Sequence, residues 1–324
     1  MNRNRTSGCV VRTLCLCVGA VIAGSGHVAA DPGAAGPPQG ARSAAVAYAQ
    51  AHPGSSPSGS NDFDCTPSVE HREPVVLAHG TDSSAYRDWA KLAPMLAEDG
   101  YCVFALDYGA DPDDRSGEES FGTGHLVASA NEFGRFVDKV RSATGATHVD
   151  VVGYSQGANV TRYYVNKLGG SAEVRKWVGL ASPTYGGTMY GLGPALHGLP
   201  GGDDFVRRAT STAVLEQLQG SPFLNELNNP VDTVAGVAYT TVGSRYDEMI
   251  QPYTNQALRG PGATNIIVSD VCPQNASGHF RAPYDPFTLD LVRSALDPDA
   301  QPRADCEFVP LGADIPQVIF DSNS

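Results

Sequence analysis

The stretch HVDVVGYSQGANVTRYYVNKL, residues 148–168, decides the fold of this chain. Its first five residues are mostly apolar and β-branched, which predicts a buried strand, and residues 156–168 have the composition of a helix. Between them, Ser155 is preceded at two positions by Gly153 and followed at two positions by Gly157. A β-carbon at either glycine would collide with the neighbouring strand or helix. The pattern therefore predicts a tight, strained turn that projects the Ser155 hydroxyl into a pocket.

The motif Gly-x-Ser-x-Gly at a strand-to-helix turn is typical of a nucleophile elbow, the feature that carries the reactive serine of α/β-hydrolases. The turn also leaves the Gln156 N–H at the start of a helix, where free amide groups can hold negative charge. The alternative is a glycine-rich turn with an ordinary serine, and with 36 glycines in the chain the motif alone is weak evidence. The partners that a serine nucleophile needs must therefore be found separately.

Strand-like and helix-like stretches alternate on both sides of this motif. Apolar runs typical of parallel strands occur at residues 74–78, 103–106, 148–152, 177–181, 237–242 and 266–268. Helical spacing of apolar residues occurs at residues 85–98, 126–143, 156–168 and 286–296. Repeated βα units predict an α/β fold with a mostly parallel sheet flanked by helices, and together with the serine motif this is the α/β-hydrolase fold.

The segment 184–229 does not follow this alternation. Glycines are frequent in its first half, and its apolar residues have no matching strand pattern. An insertion of this length inside a compact domain is often a lid or a wall of a substrate pocket, so we expect that role here. The alternative is a peripheral excursion with a small core of its own.

The N-terminal residues have the pattern of an export signal. Three arginines precede the apolar run 14–23, and residues 28–30, Val-Ala-Ala, suit a cleavage site. The apolar run is too short to cross a bilayer as a stable helix. We expect residues 1–30 to be a signal peptide, residues 31–62 to be a disordered arm rich in Ala, Gly, Pro and Ser, and residues 63–324 to be one α/β-hydrolase domain. The expected mature chain is a secreted, extracellular monomer.

The charge of the chain limits its partners. Lysine and arginine total 22 against 35 aspartate and glutamate residues, which gives a net charge of −13. A chain this acidic is repelled by nucleic acid and by anionic membranes, so we expect no nucleic-acid partner. Outside the N-terminal apolar run, no segment is long and apolar enough to predict a transmembrane helix. The expected partners are neutral or cationic molecules.

Four cysteines lie outside the expected signal peptide: Cys65, Cys102, Cys272 and Cys306. An even number in an exported protein predicts disulfides, for which three pairings exist. We favour Cys65–Cys102 and Cys272–Cys306, since the first would tie the segment before one strand to the neighbouring strand 101–106. Each loop of about 35 residues would contribute roughly 3.5–4 kcal/mol in the chain-entropy model. Because no Cys-x-x-Cys pair exists and the spacings are long, we expect no metal site on these cysteines, although the many acidic residues leave a structural calcium ion open. Catalysis by a serine nucleophile needs no cofactor, so none is expected.

A serine hydroxyl is a weak nucleophile at neutral pH, and it needs a general base that is itself oriented by an acid. In α/β-hydrolases the three residues follow in the order serine, acid, histidine. Only His197 and His279 come after Ser155 in the chain. His197 lies within the insertion, whereas His279 lies in a loop between the last predicted strand and the final predicted helix. This position favours His279 as the base.

The acid is expected just after the strand that precedes this loop. Asp247 follows the predicted strand 237–242 by a few residues and is the candidate. Glu248 is its immediate competitor, and Asp270, which follows a later strand, is the second. Asp232 comes before the strand and would lie at its wrong end.

Negative charge on the tetrahedral intermediate of acyl transfer is stabilised by preorganised N–H donors. The Gln156 N–H is one expected donor. The second is expected from the loop after the predicted strand 74–78, where Thr81 can offer its N–H and its hydroxyl, and where Gly80 lets the backbone bend toward the pocket. A simple turn followed by a helix-capping serine is compatible with the same residues.

The chain resembles the secreted bacterial lipases known as class 2 lipases, within the α/β-hydrolase superfamily. The segments that carry the resemblance are 61–65, 74–81, 153–157, 182–188, 246–252 and 271–279. The serine motif is generic, whereas the other segments and the placement of the cysteines are specific. A more distant likeness to a fungal lipase implies the same two disulfide pairings. Close bacterial relatives often carry a further cysteine pair in the insertion, and its absence here leaves the geometry of the pocket wall open.

Together these residues and the resemblance predict a serine ester hydrolase, a triacylglycerol lipase or carboxylesterase that acts on a neutral lipid or ester through Ser155, Asp247 and His279. Thr81 and Gln156 would hold the oxyanion, an acyl-enzyme would form, and water would release the acid. The nearest alternatives are a polyester hydrolase or an acyltransferase on the same fold. A serine peptidase and a non-enzymatic surface-binding module are further alternatives, and the acyl-chain preference stays open.

Overall fold

A computed structural model of the chain describes residues 33–111, 121–187 and 199–313, together with Met1 and Ile315. His197 and, apart from Met1, the expected signal peptide lie outside the described residues. The strands in these ranges are β1 (Gly33–Gly36), β2 (Ser55–Pro57), β3 (Val75–Ala78), β4 (Val103–Leu106), β5 (Val149–Tyr154), β6 (Val174–Leu180), β7 (Ala238–Gly243) and β8 (Thr264–Ile267). The α-helices are α1 (Arg42–Ala51), α2 (Ala85–Trp89), α3 (Leu92–Glu98), α4 (Leu126–Thr144), α5 (Gln156–Lys167), α6 (Gly202–Ala209), α7 (Thr212–Glu216), α8 (Pro222–Asn228), α9 (Val268–Val271) and α10 (Pro286–Leu296).

Six of the strands form one sheet in the order β4-β3-β5-β6-β7-β8. Every neighbouring pair in it is parallel, and β5, which leads into Ser155, lies inside the sheet between β3 and β6. β3, β4 and β5 are buried at every residue, which is why the sequence shows continuous apolar runs there. The prediction of a mostly parallel sheet is confirmed.

Helices cover both faces of the sheet, and successive residues of each strand face opposite layers. On one face, Val76 of β3 belongs to a cluster with Phe133 of α4 and Val160 of α5. On the other face, Leu77 of β3 belongs to a cluster with Trp89 of α2. Full burial of side chains of this size contributes roughly 1.5–3 kcal/mol each, so the two apolar layers hold the sheet and its carboxyl edge in place.

The predicted helix 85–98 is two helices, α2 and α3. Pro94 has no N–H, and in a continuous helix its ring would clash with the carbonyl group of Ala90, four residues earlier. The chain accordingly leaves the helical path at Ala90 and begins a new helix at Leu92. The apolar spacing continues across this proline, which is why the sequence predicts a single element.

The insertion contains three short helices, α6, α7 and α8, in its described part. The side chains of Ser211 and Ser221 cap the N-termini of α7 and α8. Phe223 of α8 is buried, and its ring stacks on Tyr163 of α5 with 5.2 Å between the centroids. Some of the apolar residues of the insertion that showed no strand pattern are therefore helical. They pack on the main core.

The N-terminal segment expected to be a disordered arm has regular structure in its described part. β1 and β2 pair in parallel, and α1 packs against α2, where Ala45 is buried in a cluster with Tyr86. Arg42 of α1 forms an ion pair with the buried Asp88 of α2. The expectation rested on the glycine, proline and serine content of the segment, whereas the alanines of α1 favour a helix and allow close packing.

Two disulfides join the pairs that the sequence favoured. Cys65–Cys102 ties the segment before β3 to the residue before β4, with 5.9 Å between the Cα atoms. Cys272–Cys306, with a Cα separation of 5.5 Å, closes a loop that contains His279 and α10. Within the described ranges, no helix has the length and apolar character needed to span a membrane.

Candidate active site

Ser155 lies in the turn between β5 and α5. Its φ is +50°, in the left-handed region that residues other than glycine rarely adopt, so the turn is strained. A β-carbon at Gly157 would collide with the carbonyl oxygen of Ala78. A β-carbon at Gly153 would lie 2.5 Å from the nitrogen of Ala158. The close approach of strand and helix therefore requires both glycines, as the sequence predicts.

The imidazole of His279 lies between Ser155 and Asp247. Its Nε2 is 2.9 Å from the Ser155 Oγ, and its Nδ1 is 2.8 Å from the Asp247 Oδ2. Because an ionised carboxylate can only accept, Nδ1 carries the proton and Nε2 directs a lone pair at the serine hydroxyl. All three residues are buried, which strengthens these hydrogen bonds. The arrangement can remove a proton from the serine.

The loop after β7 holds the carboxylate of Asp247. Its Oδ1 accepts the N–H groups of Met249 at 2.8 Å and Ile250 at 2.6 Å. These bonds stabilise a charged carboxylate at a position where an unpaired charge would be costly. One oxygen is thus held by the backbone, and the other is left to face His279.

The competing acids make other contacts. Glu248 accepts the backbone N–H of His279 at 2.6 Å. It therefore contacts the same histidine as Asp247 does, but at the backbone and not at the imidazole ring. Asp270 forms a surface ion pair with Arg245. Asp232 accepts two backbone N–H groups from the loop before β8. Of the four carboxylates considered in the sequence, the structure brings Asp247 to the imidazole.

The two candidate oxyanion residues lie side by side. The Thr81 hydroxyl donates to the Oε1 of Gln156 at 2.7 Å, which joins the loop after β3 to the start of α5. The Gln156 N–H belongs to the first turn of α5, where N–H groups have no carbonyl partner within the helix. Gln156 also follows the serine directly in the chain, so its N–H lies close to any group that Ser155 attacks.

Comparison with known families identifies the group of proteins that shares this sequence pattern. The family described as Lipase (class 2) matches residues 72–279, which is more than half of the chain. The chain belongs to the class 2 lipase family. The resemblance seen in the sequence is thereby confirmed, and membership supports carboxylic ester hydrolysis as the class of reaction.

Solved structures share the fold of this class 2 lipase. Aspergillus fumigatus lipase B aligns with a TM-score of 0.57 at 19% identity, over 77% of this chain and 61% of that chain. The chain thus spans less than two thirds of the length of that fungal lipase. Bacillus licheniformis lipase BlEst2 in its mature form aligns with a TM-score of 0.52 at 15% identity, over 72% of this chain and 96% of that chain. At these identities the likeness shows the fold alone, and it confirms the α/β-hydrolase fold.

A residue that the sequence analysis did not single out reaches the candidate oxyanion residues of this class 2 lipase. Gln217, which follows α7 in the insertion, has its Nε2 within 3.0 Å of the Gln156 Oε1 and within 3.2 Å of the Thr81 Oγ1. The same nitrogen lies 3.1 Å from the carbonyl oxygen of Ala213. A glutamine in an irregular insertion carries no sequence signal for this contact, because the contact depends on how the insertion folds back.

The loop that presents Thr81 is held from the protein interior. The Gly80 N–H donates to the Oδ2 of Asp88 at 2.8 Å, and the Tyr108 hydroxyl donates to the carbonyl oxygen of His79 at 2.6 Å. The Nε2 of His79 accepts the N–H of Tyr108, so its Nδ1 carries the proton and donates to the Gly80 carbonyl oxygen at 2.7 Å. Asp88 is a further residue that the sequence did not indicate.

A cavity of about 270 Å³ lies within the insertion. Leu215, Leu218 and Phe223 supply apolar parts of its wall, together with polar residues of the insertion. Leu218 is the chain neighbour of Gln217, which contacts the candidate oxyanion residues. A residue that lines the cavity therefore follows directly in the chain the residue that contacts Thr81 and Gln156.

Cysteine, histidine and carboxylate side chains are the groups that could bind a metal ion. All four cysteines outside the expected signal peptide are in disulfides, so they offer no thiolate. Among the residues that the structure describes, no group of three or more His, Cys, Asp or Glu side chains is arranged to hold a metal ion.

Proposed function

We propose that this class 2 lipase is a serine ester hydrolase, a triacylglycerol lipase or carboxylesterase, with Ser155 as nucleophile, His279 as base and Asp247 as the orienting acid. The observation that carries the proposal is the continuous hydrogen-bonded chain of these three residues, with distances of 2.8 and 2.9 Å. Membership of the family supports an ester as the bond that is cleaved.

Catalysis begins when the Nε2 of His279 takes the proton of the Ser155 hydroxyl while its oxygen attacks the ester carbonyl carbon. Asp247 stabilises the imidazolium that results, since its carboxylate faces Nδ1 at 2.8 Å. The imidazolium then protonates the leaving alcohol, and an acyl-enzyme remains on Ser155. A water molecule, deprotonated by the same base, attacks the acyl group and releases the carboxylic acid.

The N–H groups of Gln156 and Thr81 hold the oxyanion that forms in both steps. Support comes from the position of Gln156 at the N-terminus of α5, directly after the nucleophile, and from its 2.7 Å contact with the Thr81 hydroxyl. A preorganised donor of this kind contributes about 3–4 kcal/mol to the transition state, a factor of about 10² to 10³ in kcat.

The substrate is a neutral ester, and the insertion forms a wall of its pocket. An acidic chain, with a net charge of −13, repels anionic substrates. The cavity in the insertion has apolar parts at Leu215, Leu218 and Phe223, which suit an acyl chain. The contact of Gln217 with Thr81 supports this cavity as an extension of the site.

Hydrolysis of soluble p-nitrophenyl esters by the purified protein tests the nucleophile. Ser155→Ala should lower kcat by at least about 10³-fold, since no other group can form the acyl-enzyme. Ser142→Ala, which alters an exposed serine of α4, is the matched control and should keep full activity. A fluorophosphonate should label the wild type and the control, but not Ser155→Ala. Full esterase activity in Ser155→Ala would exclude the assignment.

A comparison of substrates tests the class of ester. Faster hydrolysis of an emulsified long-chain triglyceride than of a soluble short ester identifies a lipase, and the reverse order identifies a carboxylesterase. Cleavage of peptide amides in place of esters, or a folded protein without ester hydrolysis or serine labelling, contradicts the proposal. Preference for a polymer film or for an alcohol acceptor over water would point to a polyester hydrolase or an acyltransferase.

We also propose that the chain is exported and cleaved after Ala30. The two disulfides support export, because such bonds persist in oxidising compartments. Mass spectrometry of the protein from the culture medium should find a mature N-terminus at Asp31. Residues 1–30 on that secreted protein would contradict the proposal.

A further inference from the structure

A carboxylate is fully buried beneath the loop that presents Thr81. Asp88 of α2 has no solvent-exposed surface. Its Oδ2 accepts the N–H of Gly80 at 2.8 Å, and its Oδ1 accepts a hydrogen bond from the guanidinium of Arg42. Arg42 belongs to α1, in the N-terminal segment that precedes the α/β core, so a residue outside the core balances the charge of Asp88.

The contacts of Gly80 determine where the Thr81 N–H points. The carbonyl oxygen of Gly80 and the N–H of Thr81 belong to one planar peptide group and point in opposite directions. The His79 Nδ1 holds this carbonyl oxygen at 2.7 Å, and Asp88 holds the N–H of the preceding peptide group. A glycine has wide conformational freedom, so both contacts are needed to define its two dihedral angles.

Asp88 can hold Gly80 in this way because its charge is balanced. A buried carboxylate costs several kcal/mol unless it is both paired and hydrogen-bonded, and without a cation it takes up a proton instead. Burial disfavours the charged form of the Arg42 guanidinium and by itself would lower its pKa. The Asp88 carboxylate outweighs this effect, so the pKa of Arg42 is raised above its usual value. The side chain of Arg42 is 16% exposed, so water screens the pair only weakly.

We propose that Arg42 is a positioning residue for the oxyanion site. Its guanidinium pairs with Asp88, Asp88 holds the Gly80 backbone, and that backbone directs the N–H of Thr81. The N-terminal segment 33–57 then contributes to the active site by positioning one of its N–H donors. The inference rests on the proposed function, because the direction of the Thr81 N–H matters only if an oxyanion forms there.

Contacts other than Arg42 keep the N-terminal segment in place. The Tyr86 hydroxyl donates to the carbonyl oxygen of Pro37 at 2.6 Å, and the Gln39 N–H donates to the carbonyl oxygen of Ala90 at 3.1 Å. Loss of the guanidinium should therefore leave α1 docked, and the effect on the Gly80 loop becomes measurable in a folded protein.

Arg42→Gln in the full chain tests the role of the charge. On a soluble ester, kcat should fall about 10- to 100-fold with KM within about twofold, because the oxyanion exists only in the transition state and not in the bound substrate. Arg42→Lys should restore most of the activity, since it keeps the cation. Arg135→Gln, which removes an exposed charge from α4, is the control and should match the wild type. An unchanged kcat in Arg42→Gln, or a loss confined to KM, overturns the inference.

Asp88→Asn supplies a second test of whether Arg42 acts through Asp88. This test remains possible even if Arg42→Gln alone fails to fold. An amide oxygen at this position can accept the Gly80 N–H without a neighbouring cation. In the Asp88→Asn background, Arg42→Gln should therefore change kcat by less than about twofold, and the double variant should be more active than Arg42→Gln alone. A loss of 10-fold or more in that background means that Arg42 acts by another route and overturns the inference.

Ser155→Ala, measured in the same assay, separates this inference from the proposed function. If ester hydrolysis by the wild type does not depend on Ser155, the proposed function fails. If hydrolysis depends on Ser155 while Arg42→Gln retains the wild-type kcat, the inference alone fails. Melting temperatures of all variants show whether a loss of kcat accompanies a loss of folded protein, and rescue by Asp88→Asn distinguishes positioning from general destabilisation.

Discussion

The side-chain nitrogen of Gln217 lies 3.0 Å from the Oε1 of Gln156, so a residue of the insertion contacts the residue that follows the candidate nucleophile. The same nitrogen lies 3.2 Å from the Thr81 hydroxyl. Hydrogen bonds therefore join the insertion to both candidate oxyanion residues. A change in the position of α7 and the residues after it would alter the surroundings of these two side chains directly.

Gln217→Ala should lower kcat about 3- to 10-fold with little change in KM, because the side chains of Thr81 and Gln156 each lose a hydrogen-bond donor. Gln217→Glu should lower kcat further, since a carboxylate of the same shape offers no N–H and repels an oxyanion. Steady-state kinetics on a soluble ester measures both effects. Asn225→Ala, at an exposed amide of α8, is the control. A wild-type kcat in Gln217→Glu would show that the contact does not influence the reaction.

Asp247→Asn should reduce kcat by on the order of 10⁴-fold, because an asparagine amide can donate to Nδ1 and favour the unproductive tautomer of His279. Asp270→Asn should stay within about twofold of the wild type, since it breaks only a surface ion pair with Arg245. The same ester assay compares the two variants. If the larger defect belongs to Asp270→Asn, the role of the acid moves to Asp270.

Glu248 accepts the N–H of His279, and burial raises the pKa of Glu248, so it binds its proton at a higher pH than an ordinary glutamate does. Glu248→Ala should lower kcat about 10-fold because the loop that carries the base loses an anchor. Glu248→Gln should keep most of the activity, since its amide oxygen can accept the same N–H. These two variants therefore separate the hydrogen bond from the charge.

The charge of Glu248 should appear in the pH profile. Glu248 is negatively charged above its raised pKa and Glu248→Gln removes that charge, so the acid limb of kcat/KM should lie at lower pH than in the wild type. Profiles measured in parallel for the wild type and this variant test the shift. Superimposable profiles would show that the anchor acts through its hydrogen bond alone.

Asp150 of β5 should make stability depend on pH. Burial raises the pKa of Asp150 to about 7, although the nearby Lys176 opposes the shift. The folded state then holds a proton that the unfolded state releases near pH 4, so the free energy of unfolding falls as the pH rises from about 4 to about 7. Asp150→Asn removes the titrating group and with it this pH-dependent loss of stability. Its amide oxygen can still accept the backbone N–H of Lys176.

Urea denaturation at two pH values tests this prediction. Above pH 7, the free energy of unfolding of Asp150→Asn should exceed that of the wild type by on the order of 2 kcal/mol. At about pH 4 the difference should be nearly absent, since Asp150 is then protonated in the folded wild type. A difference of equal size at both pH values would mean that packing, and not the charge, is responsible.

The central elements were predictable because their sequence pattern reflects local burial. The predicted strand 148–152 and helix 126–143 agree with β5 and α4 to within two residues at each end. The prediction of one helix over residues 85–98 was wrong because of Pro94. The apolar spacing continues past this proline, but the helical backbone is interrupted before it. Periodicity reports which side chains are buried, and it reports less about where the chain must leave a helix.

The N-terminal segment was not predictable from its composition. A helix of ten residues such as α1 is marginal by itself in water, so its formation depends on the surface that it packs against. That surface contains Tyr86 and Asp88, which lie far along the chain from Ala45 and Arg42. No local pattern in the segment identifies these partners.

The sequence by itself determined the strained turn at Ser155 and indicated the loop of the candidate base His279, because both depend on short-range geometry and on the order of elements along the chain. Only the tertiary structure distinguishes the contacts of the adjacent carboxylates Asp247 and Glu248. The loop after β7 turns the first toward the imidazole of His279 and the second toward its backbone N–H. The tertiary structure likewise brings Gln217 to Thr81 and Gln156, and Arg42 to Asp88. Such contacts arise when distant elements pack together, and local spacing does not encode them.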